Sequence, residues 1–283
     1  MNADPHLKWP LQPSSTASVQ CVERGVPIAL TDALAEECPI ALEFNGVSHV
    51  VMLSTPADLE DFGVGFSITE GIVQQATQLY DVEVEPGLDG ITVKIKIATA
   101  CFEHLKHRRR NMSGRTGCGL CGTESLKEVF RPLTPVIKTG QLLQAQYIDI
   151  ALNSIQPHQL IQQKTGATHA AAWVDLYGKI KLVREDVGRH NALDKLIGAA
   201  IRSKDQNWQQ GMLVVTSRAS MEMVQKAVMA GFQYLVAISA PTRLAVDLAQ
   251  ANGLCLIGFA RPGKWTVYSH LDKLDFTHLP TNH

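Results

Sequence analysis

Cys118 and Cys121, in GRTGCGLCGTESL (residues 114–126), are the residues whose type and spacing most plainly invite chemistry, and they form the only C-x-x-C pair in the chain. Such a pair can clamp a metal, form a redox disulfide, carry a group on a thiolate, or decorate a turn. A structural zinc site needs four ligands, commonly two such pairs or one pair plus two histidines. Cys101, His104 and His107 do not supply the rest. Their i, i+3, i+6 spacing, at ~100° per residue, points the outer two apart around a helix. A zinc deaminase would offer H-x-E together with P-C-x-x-C. Here no histidine is followed two positions on by Glu, and Gly117 precedes Cys118.

A rigid dithiol couple is poorly served by glycine on both sides of each cysteine. Gly114, Gly117, Gly119 and Gly122 instead give a backbone that can move and approach another molecule closely. Arg115 and the start of a following helix, ESLKEVF, would favour a thiolate. This suits a thiol that swings between two partners; the plain alternative is a glycine-rich turn with incidental cysteines. Cys255, inside LCLIGFA, has the setting of a small buried apolar residue.

A second candidate lies in the last third of the chain. GMLVVTS, YLVAISA and LCLIGFA have the pattern of buried strands. They alternate with helices, SMEMVQKAVMAG ending at Gly231 and PTRLAVDLAQANG ending at Gly253. This βαβαβ order predicts parallel strands whose carboxyl ends share one edge, where open α/β folds bind ligands. The groups after those strands are Ser217, Arg218, Ala219 and Ser220, then Ser239 with Ala240, Pro241 and Thr242, then Phe259, Ala260, Arg261, Pro262, Gly263 and Lys264. Small residues, helix N-termini and three cations at one edge suit a phosphate or pyrophosphate, set against ordinary turns with surface charge.

Two further stretches carry polar groups. GATHAAAW places His169 beside an apolar strand, where a histidine is more often structural than catalytic. REDVGRHN packs Arg184, Glu185, Asp186, Arg189, His190 and Asn191 into eight positions. These can be a helix cap with its salt bridges, or the lining of the cavity that receives the cysteine loop.

The elements that must position these groups follow from pattern. IALEF and VVML flank Asn45-Gly46 as a hairpin with a type I′ turn. STPADLEDFGVGFSITEG reads as a helix capped by Thr55, with Pro56 in its first turn and Gly71 after its end. VEVEPGLDGITVKIKI alternates at Ile91, Val93, Ile95 and Ile97 as a half-buried strand after a turn. Leu193, Leu196, Ile197, Ala200 and Ile201 share one face of a helix. The expected organisation is a disordered tail over 1–22, a small α+β unit over 23–113, a mobile cysteine loop over 114–123 and an α/β unit over 124–283.

At 283 residues, 45% hydrophobic and 19% charged, the chain is enzyme-sized and globular. A net charge of −1 lacks the basic surplus of a nucleic-acid binder. No apolar run approaches the ~18 residues that span a bilayer. The first twenty residues lack the apolar core of a secretory signal. The expectation is a cytoplasmic protein with no membrane and no nucleic-acid partner.

DFGVGFSITEGIV, GRTGCGLCG, THAAAW, REDVGRHNALDKLIG, SRASMEMVQKAVMAG, AISAPTRLAVDLA and IGFARPGKWTVYSH occur in order from about residue 40 to about 270. With these, the chain resembles the FdhD/NarQ family, the sulfurtransferase accessory proteins required for formate dehydrogenase activity. The resemblance implies a cytidine-deaminase-like C-terminal domain, three-layered with a largely parallel sheet and without the deaminase zinc ligands, so that no metal is bound directly by the protein. It implies that a cysteine desulfurase loads Cys118 as a persulfide. The sulfur then passes to the molybdenum cofactor in its bis-molybdopterin guanine dinucleotide form, before that cofactor enters formate dehydrogenase. Phe259 to Lys264 carry over as cofactor-binding residues, Ser217, Arg218 and Ser239 join them as candidates from the strand-end edge, and His169 joins them from GATHAAAW. A homodimer is implied as well. Cys121 is left with two roles, attack on the persulfide to release sulfide or positioning of the loop. A rival from another class is a non-enzymatic chaperone that only binds and delivers the cofactor.

Overall fold

The structure, a computed structural model, describes residues 11–110, 133–136, 141–203 and 208–277. The expected cysteine loop, with Cys118 and Cys121, and the short helix expected after it lie outside the described residues.

The described residues open with strands β1 (Ser14–Glu23) and β2 (Val26–Ala35), paired antiparallel from Ser14↔Ala35 to Glu23↔Val26. Residues 14–22 are therefore a strand, where disorder was expected. Arg24 (φ 49°) and Gly25 (φ 84°) make the two-residue turn that closes the ribbon. The polar composition of SSTAS conceals it, because ladder hydrogen bonds make no demand on side chains.

β3 (Cys38–Phe44) and β4 (Val47–Ser54) form the expected hairpin, with Asn45 at φ 47° and Gly46 at φ 83°. α1 (Leu59–Thr69) follows, then β5 (Leu79–Pro86) and β6 (Ile91–Ile97). The sheet order is β4-β3-β6-β5, and β3 and β6 run parallel. Ile40, Leu42, Phe44, Ile91, Val93 and Ile95 face Leu59, Phe62 and Phe66 of α1 in a closed core. Gly71 stands at φ 61° after the helix, as its position predicts. Thr55 does not cap α1. Its Oγ1 accepts a hydrogen bond from the Val187 N–H at 3.1 Å, and the residue before the helix is Asp58, itself left-handed at φ 54°. A distant backbone donor has captured the hydroxyl that local spacing assigned to a cap.

α2 (Thr99–Arg110), the short β7 (Leu143–Gln144), α3 (Gln146–Ser154) and α4 (Leu160–Thr165) lead into the second unit. It comprises β8 (His169–Val174), β9 (Ile180–Asp186), α5 (Arg189–Arg202), β10 (Met212–Val215), α6 (Met221–Met229), β11 (Tyr234–Ala237), α7 (Arg243–Ala251), β12 (Cys255–Arg261), β13 (Lys264–Ser269) and β14 (Leu274–Asp275). The main sheet runs β13-β12-β11-β10-β8-β9. The expected βαβαβ winding is present, with β10, β11 and β12 parallel. The sheet is nevertheless mixed, not largely parallel, because β12–β13, β10–β8 and β8–β9 are antiparallel. Short hairpin connections at Gly178 and at Pro262-Gly263 require that direction. Helices cover both faces. α5, α6 and α7 lie over Ala171, Trp173, Leu213, Val215, Leu235 and Leu256. α3 lies over Ala172, Val174, Val214, Tyr234, Val236 and Ile257.

The two units meet where α1 crosses α5 with backbones touching. A Cβ on Gly65 would sit 1.7 Å from the Asp194 carbonyl oxygen, and one on Gly198 would sit 1.8 Å from that of Asp61. Buried ion pairs flank the crossing. Lys195 Nζ, fully buried, reaches Asp186 Oδ2 at 2.6 Å and the Thr55 carbonyl at 2.8 Å. Lys226 Nζ reaches both Asp194 oxygens at 2.9 Å, and Thr69 and Glu70 as well. Burial pushes the Asp194 carboxyl up and opposes the Lys226 charge, but each is drawn back by the other.

Gly198→Ala is expected to cost about 3 kcal/mol in chemical denaturation, since neither helix backbone can yield to the new methyl. Lys195→Met, which leaves Asp186 buried and unpaired, is expected to cost about 3–5 kcal/mol in the same measurement.

Candidate functional site

The strand-end edge is knit by backbone hydrogen bonds that continue past the strands. Ile238 N–H donates to the Val215 carbonyl at 2.9 Å, Ser239 N–H to that of Ser217 at 3.4 Å, and Phe259 N–H to that of Ser239 at 3.1 Å. Ala219 N–H bonds the Ala240 carbonyl at 3.2 Å and Thr242 N–H bonds that of Ala219 at 3.0 Å, stitching two helix N-termini together. β8 is antiparallel to β10, so its first residue, His169, lies at the same edge. Thr216 fixes that end by donating its N–H to the Ala170 carbonyl at 3.0 Å and accepting the Ala170 N–H on Oγ1 at 2.9 Å. A cavity of about 380 Å³ opens here, bordered by Gln159, Gln162, Thr168, His169 and Thr216.

The β12–β13 connection holds the remaining candidates. Phe259 is left-handed at φ 49° and 54% exposed, so a large aromatic ring stands out on a backbone conformation that costs energy to hold. Ala260 is fully buried. Arg261 Nη1 donates to the carbonyls of Ile238 at 2.5 Å and Ala260 at 2.8 Å, which ties the turn to the end of β11. Pro262 and Gly263 form the turn, with Gly263 at φ 77°, and Lys264 begins β13 fully on the outside. The fold thus brings Ser217, Ser239, Phe259, Ala260, Arg261 and His169 to one edge. Arg218 is exposed beside Ser217, whose Oγ donates to the Arg218 carbonyl at 3.1 Å.

REDVGRHN divides in two. Arg184 pairs with Asp61, Glu185 accepts the Ile161 and Gln162 N–H groups at the start of α4, and Asp186 gathers Ser54, Thr55, Gly188, Asn191 and Lys195. These are structural. Arg189 and His190 open α5 beside the start of α6, and His190 Nε2 lies 2.6 Å from Glu222 Oε2. Burial raises the Glu222 carboxyl, but His190 first, then the Arg189 and Lys226 charges, bring it below the ordinary range. Burial, and next the Arg189 charge, hold His169 below the usual imidazole range, so it is neutral at pH 7.

Two cysteines are removed from chemistry by their surroundings. Burial pushes the Cys38 thiol up to about 11 and the Cys255 thiol up to about 12, leaving both protonated and inert at neutral pH. Among the described residues, no cluster of three His, Cys, Asp or Glu side chains is placed to hold a metal ion.

Asp149 is a polar group at the site without a sequence signal. Its Oδ1 accepts the Gly263 N–H at 2.9 Å and the Trp265 Nε1–H at 3.3 Å. The helical spacing of Ile148, Ala151, Leu152 and Ile155 announces α3. Nothing local connects its Asp149 to a turn 114 residues away.

A sequence model of the FdhD/NarQ family matches residues 35–275. The sulfur carrier protein FdhD of Cupriavidus necator is 51% identical over 260 residues, covering 92% of this chain and 90% of that protein. Its namesake in Bordetella petrii is 48% identical over 260 residues, covering 91% and 93%. The crystal structure of a candidate formate dehydrogenase accessory protein from Desulfotalea psychrophila superposes with a TM-score of 0.74 at 21% identity, covering 92% of this chain and 99% of that one, which is a likeness of fold. By the family match and by identity along nearly its whole length, this chain belongs to the FdhD/NarQ family.

Proposed function

We propose that this protein is a cytoplasmic sulfur carrier that serves formate dehydrogenase, with Cys118 as the carrier thiol and the molybdenum cofactor as sulfur acceptor. One observation carries the reading. The GRTGCGLCG stretch stands intact in a chain about half identical to proteins that bear the name sulfur carrier protein. The burial of Cys38 and Cys255 supports it by removing two of the other four cysteines from contention, while Cys21 and Cys101 are only partly buried.

In the first step the Cys118 thiolate attacks the outer sulfur of a cysteine desulfurase persulfide. The donor S–S bond breaks, the donor cysteine leaves as a thiolate, and Cys118 holds the sulfane sulfur. In the second step that sulfur leaves for molybdenum. Becoming a sulfido ligand takes two electrons, drawn either from the metal or from Cys121, which would then close a disulfide with Cys118. The acceptor is a substrate, bis-molybdopterin guanine dinucleotide, and its pyrophosphates call for the kind of edge built by Ser217, Arg218, Ser239 and the Phe259–Lys264 segment. His169 borders that edge as a neutral imidazole. The deaminase-like architecture without zinc ligands and the homodimer belong to the same reading.

Loading the protein with a desulfurase and cysteine, then mapping the added sulfur by mass spectrometry, is expected to find it on Cys118 and not on Cys38 or Cys255. Persulfide on Cys121 alone, with Cys118→Ala still supporting formate dehydrogenase, would reverse the assignment. If Cys118→Ala still activates while guanine nucleotide binding persists, a delivery chaperone is the better description.

Arg261→Ala, which frees the turn from β11, is expected to weaken GDP binding about tenfold in calorimetry, equivalent to about 1.4 kcal/mol. Unchanged affinity would remove this turn from the site.

A further inference from the structure

We propose that Asp149 is a positioning residue for the Arg261–Lys264 turn, holding it in the shape that receives the pyrophosphate of a guanine nucleotide. The inference rests on the reading of that turn as part of the cofactor site and adds the group that shapes it.

The turn is fastened at two points. Arg261 ties its first residue to the end of β11 through the Ile238 carbonyl. On the far side, Asp149 Oδ1 takes the Gly263 N–H at 2.9 Å and the Trp265 indole N–H at 3.3 Å. The second fastening comes from a rigid body. α3 is seated on the sheet by Ile148, Ala151 and Leu152, all buried, so Asp149 cannot drift with the turn it holds. The indole is held in turn by stacking on Phe276, with ring centroids 6.2 Å apart and planes 27° apart.

The chemistry of the turn shows why an anchor is needed. Gly263 is left-handed at φ 77°, yet a Cβ there would meet nothing within 4 Å. Glycine is thus required for backbone shape alone, and glycine also holds a shape least firmly when free. An acceptor fixed on the amide removes that freedom. A carboxylate next to an anion site would ordinarily repel the ligand. Here one of its oxygens is occupied by two N–H donors, which offset its charge beside the turn. Lys264 stands exposed at the start of β13 while the backbone is held.

The experiment measures GDP binding by calorimetry on the full chain, together with amide hydrogen exchange at Gly263 and thermal unfolding. Asp149→Ala is expected to weaken GDP about tenfold and to speed exchange at Gly263. Asp149→Asn, whose side-chain oxygen can still accept from that amide, is expected to stay within about threefold of the unaltered protein. Should Asp149→Ala not fold, Asp149→Leu removes the acceptor while nearly keeping the shape of the side chain, and the same tenfold loss is expected from it. Equal GDP affinity in the unaltered protein and in the Ala or Leu variant overturns the inference and leaves the site reading intact. A melting temperature lowered with no change in affinity or exchange does the same, assigning Asp149 to stability alone. Absence of GDP binding by the unaltered protein overturns the site reading and this inference together.

Discussion

Two helices of this protein touch backbone to backbone, α1 at Gly65 and α5 at Gly198, and the rest of the arrangement depends on that contact. Neither position has space for even one methyl group. At so short an approach the polar side chains beside the crossing lose access to water and must satisfy one another. Asp186 is the centre of that settlement, accepting from Ser54, Thr55, Gly188, Asn191 and Lys195. So many donors replace the water that a fully buried carboxylate has lost. It also links the end of β4 in the first unit to the start of α5 in the second, so the small sheet and the large one share one rigid joint.

From that joint the candidate site inherits its shape. α5 begins with Arg189 and His190, which lie between two residues bound to Asp186, Gly188 and Asn191, and His190 is thereby held beside Glu222. The wound strands supply Ser217, Ser239 and Phe259 to the same edge, while the reversed β8 adds His169. Charge and burial then sort the titratable groups. His169 is neutral, Glu222 is charged, and two of the cysteines are protonated beyond use. Reactivity in such a protein belongs to thiols outside the core.

Much of this was legible in advance wherever short-range sterics decide the conformation. Asn45-Gly46 and Gly71 take positive φ because their neighbours in sequence leave little else. The three wound strands announced themselves as apolar runs between helices with glycine ends. The reading failed where a partner arrives from far along the chain. Thr55 looked like a cap until Val187 took its hydroxyl, SSTAS looked disordered until Val26–Ala35 paired with it, and Asp149 had no visible purpose without Gly263. The antiparallel members of the main sheet were missed because a direction of pairing depends on connection length, not on apolar content.

The sequence alone determined the family, the βαβαβ winding and the thiol pair, because motif order, hydrophobic period and residue type are properties of the chain itself. Tertiary structure decided which members of REDVGRHN are structural and which face the edge. It also decided which cysteines are buried beyond reaction, and which carboxylate holds the Arg261–Lys264 turn. The physical reason is the same in each case. Burial and the identity of a hydrogen-bond partner are set by approaches between distant segments, and these control both the charge a side chain carries and the geometry it can impose.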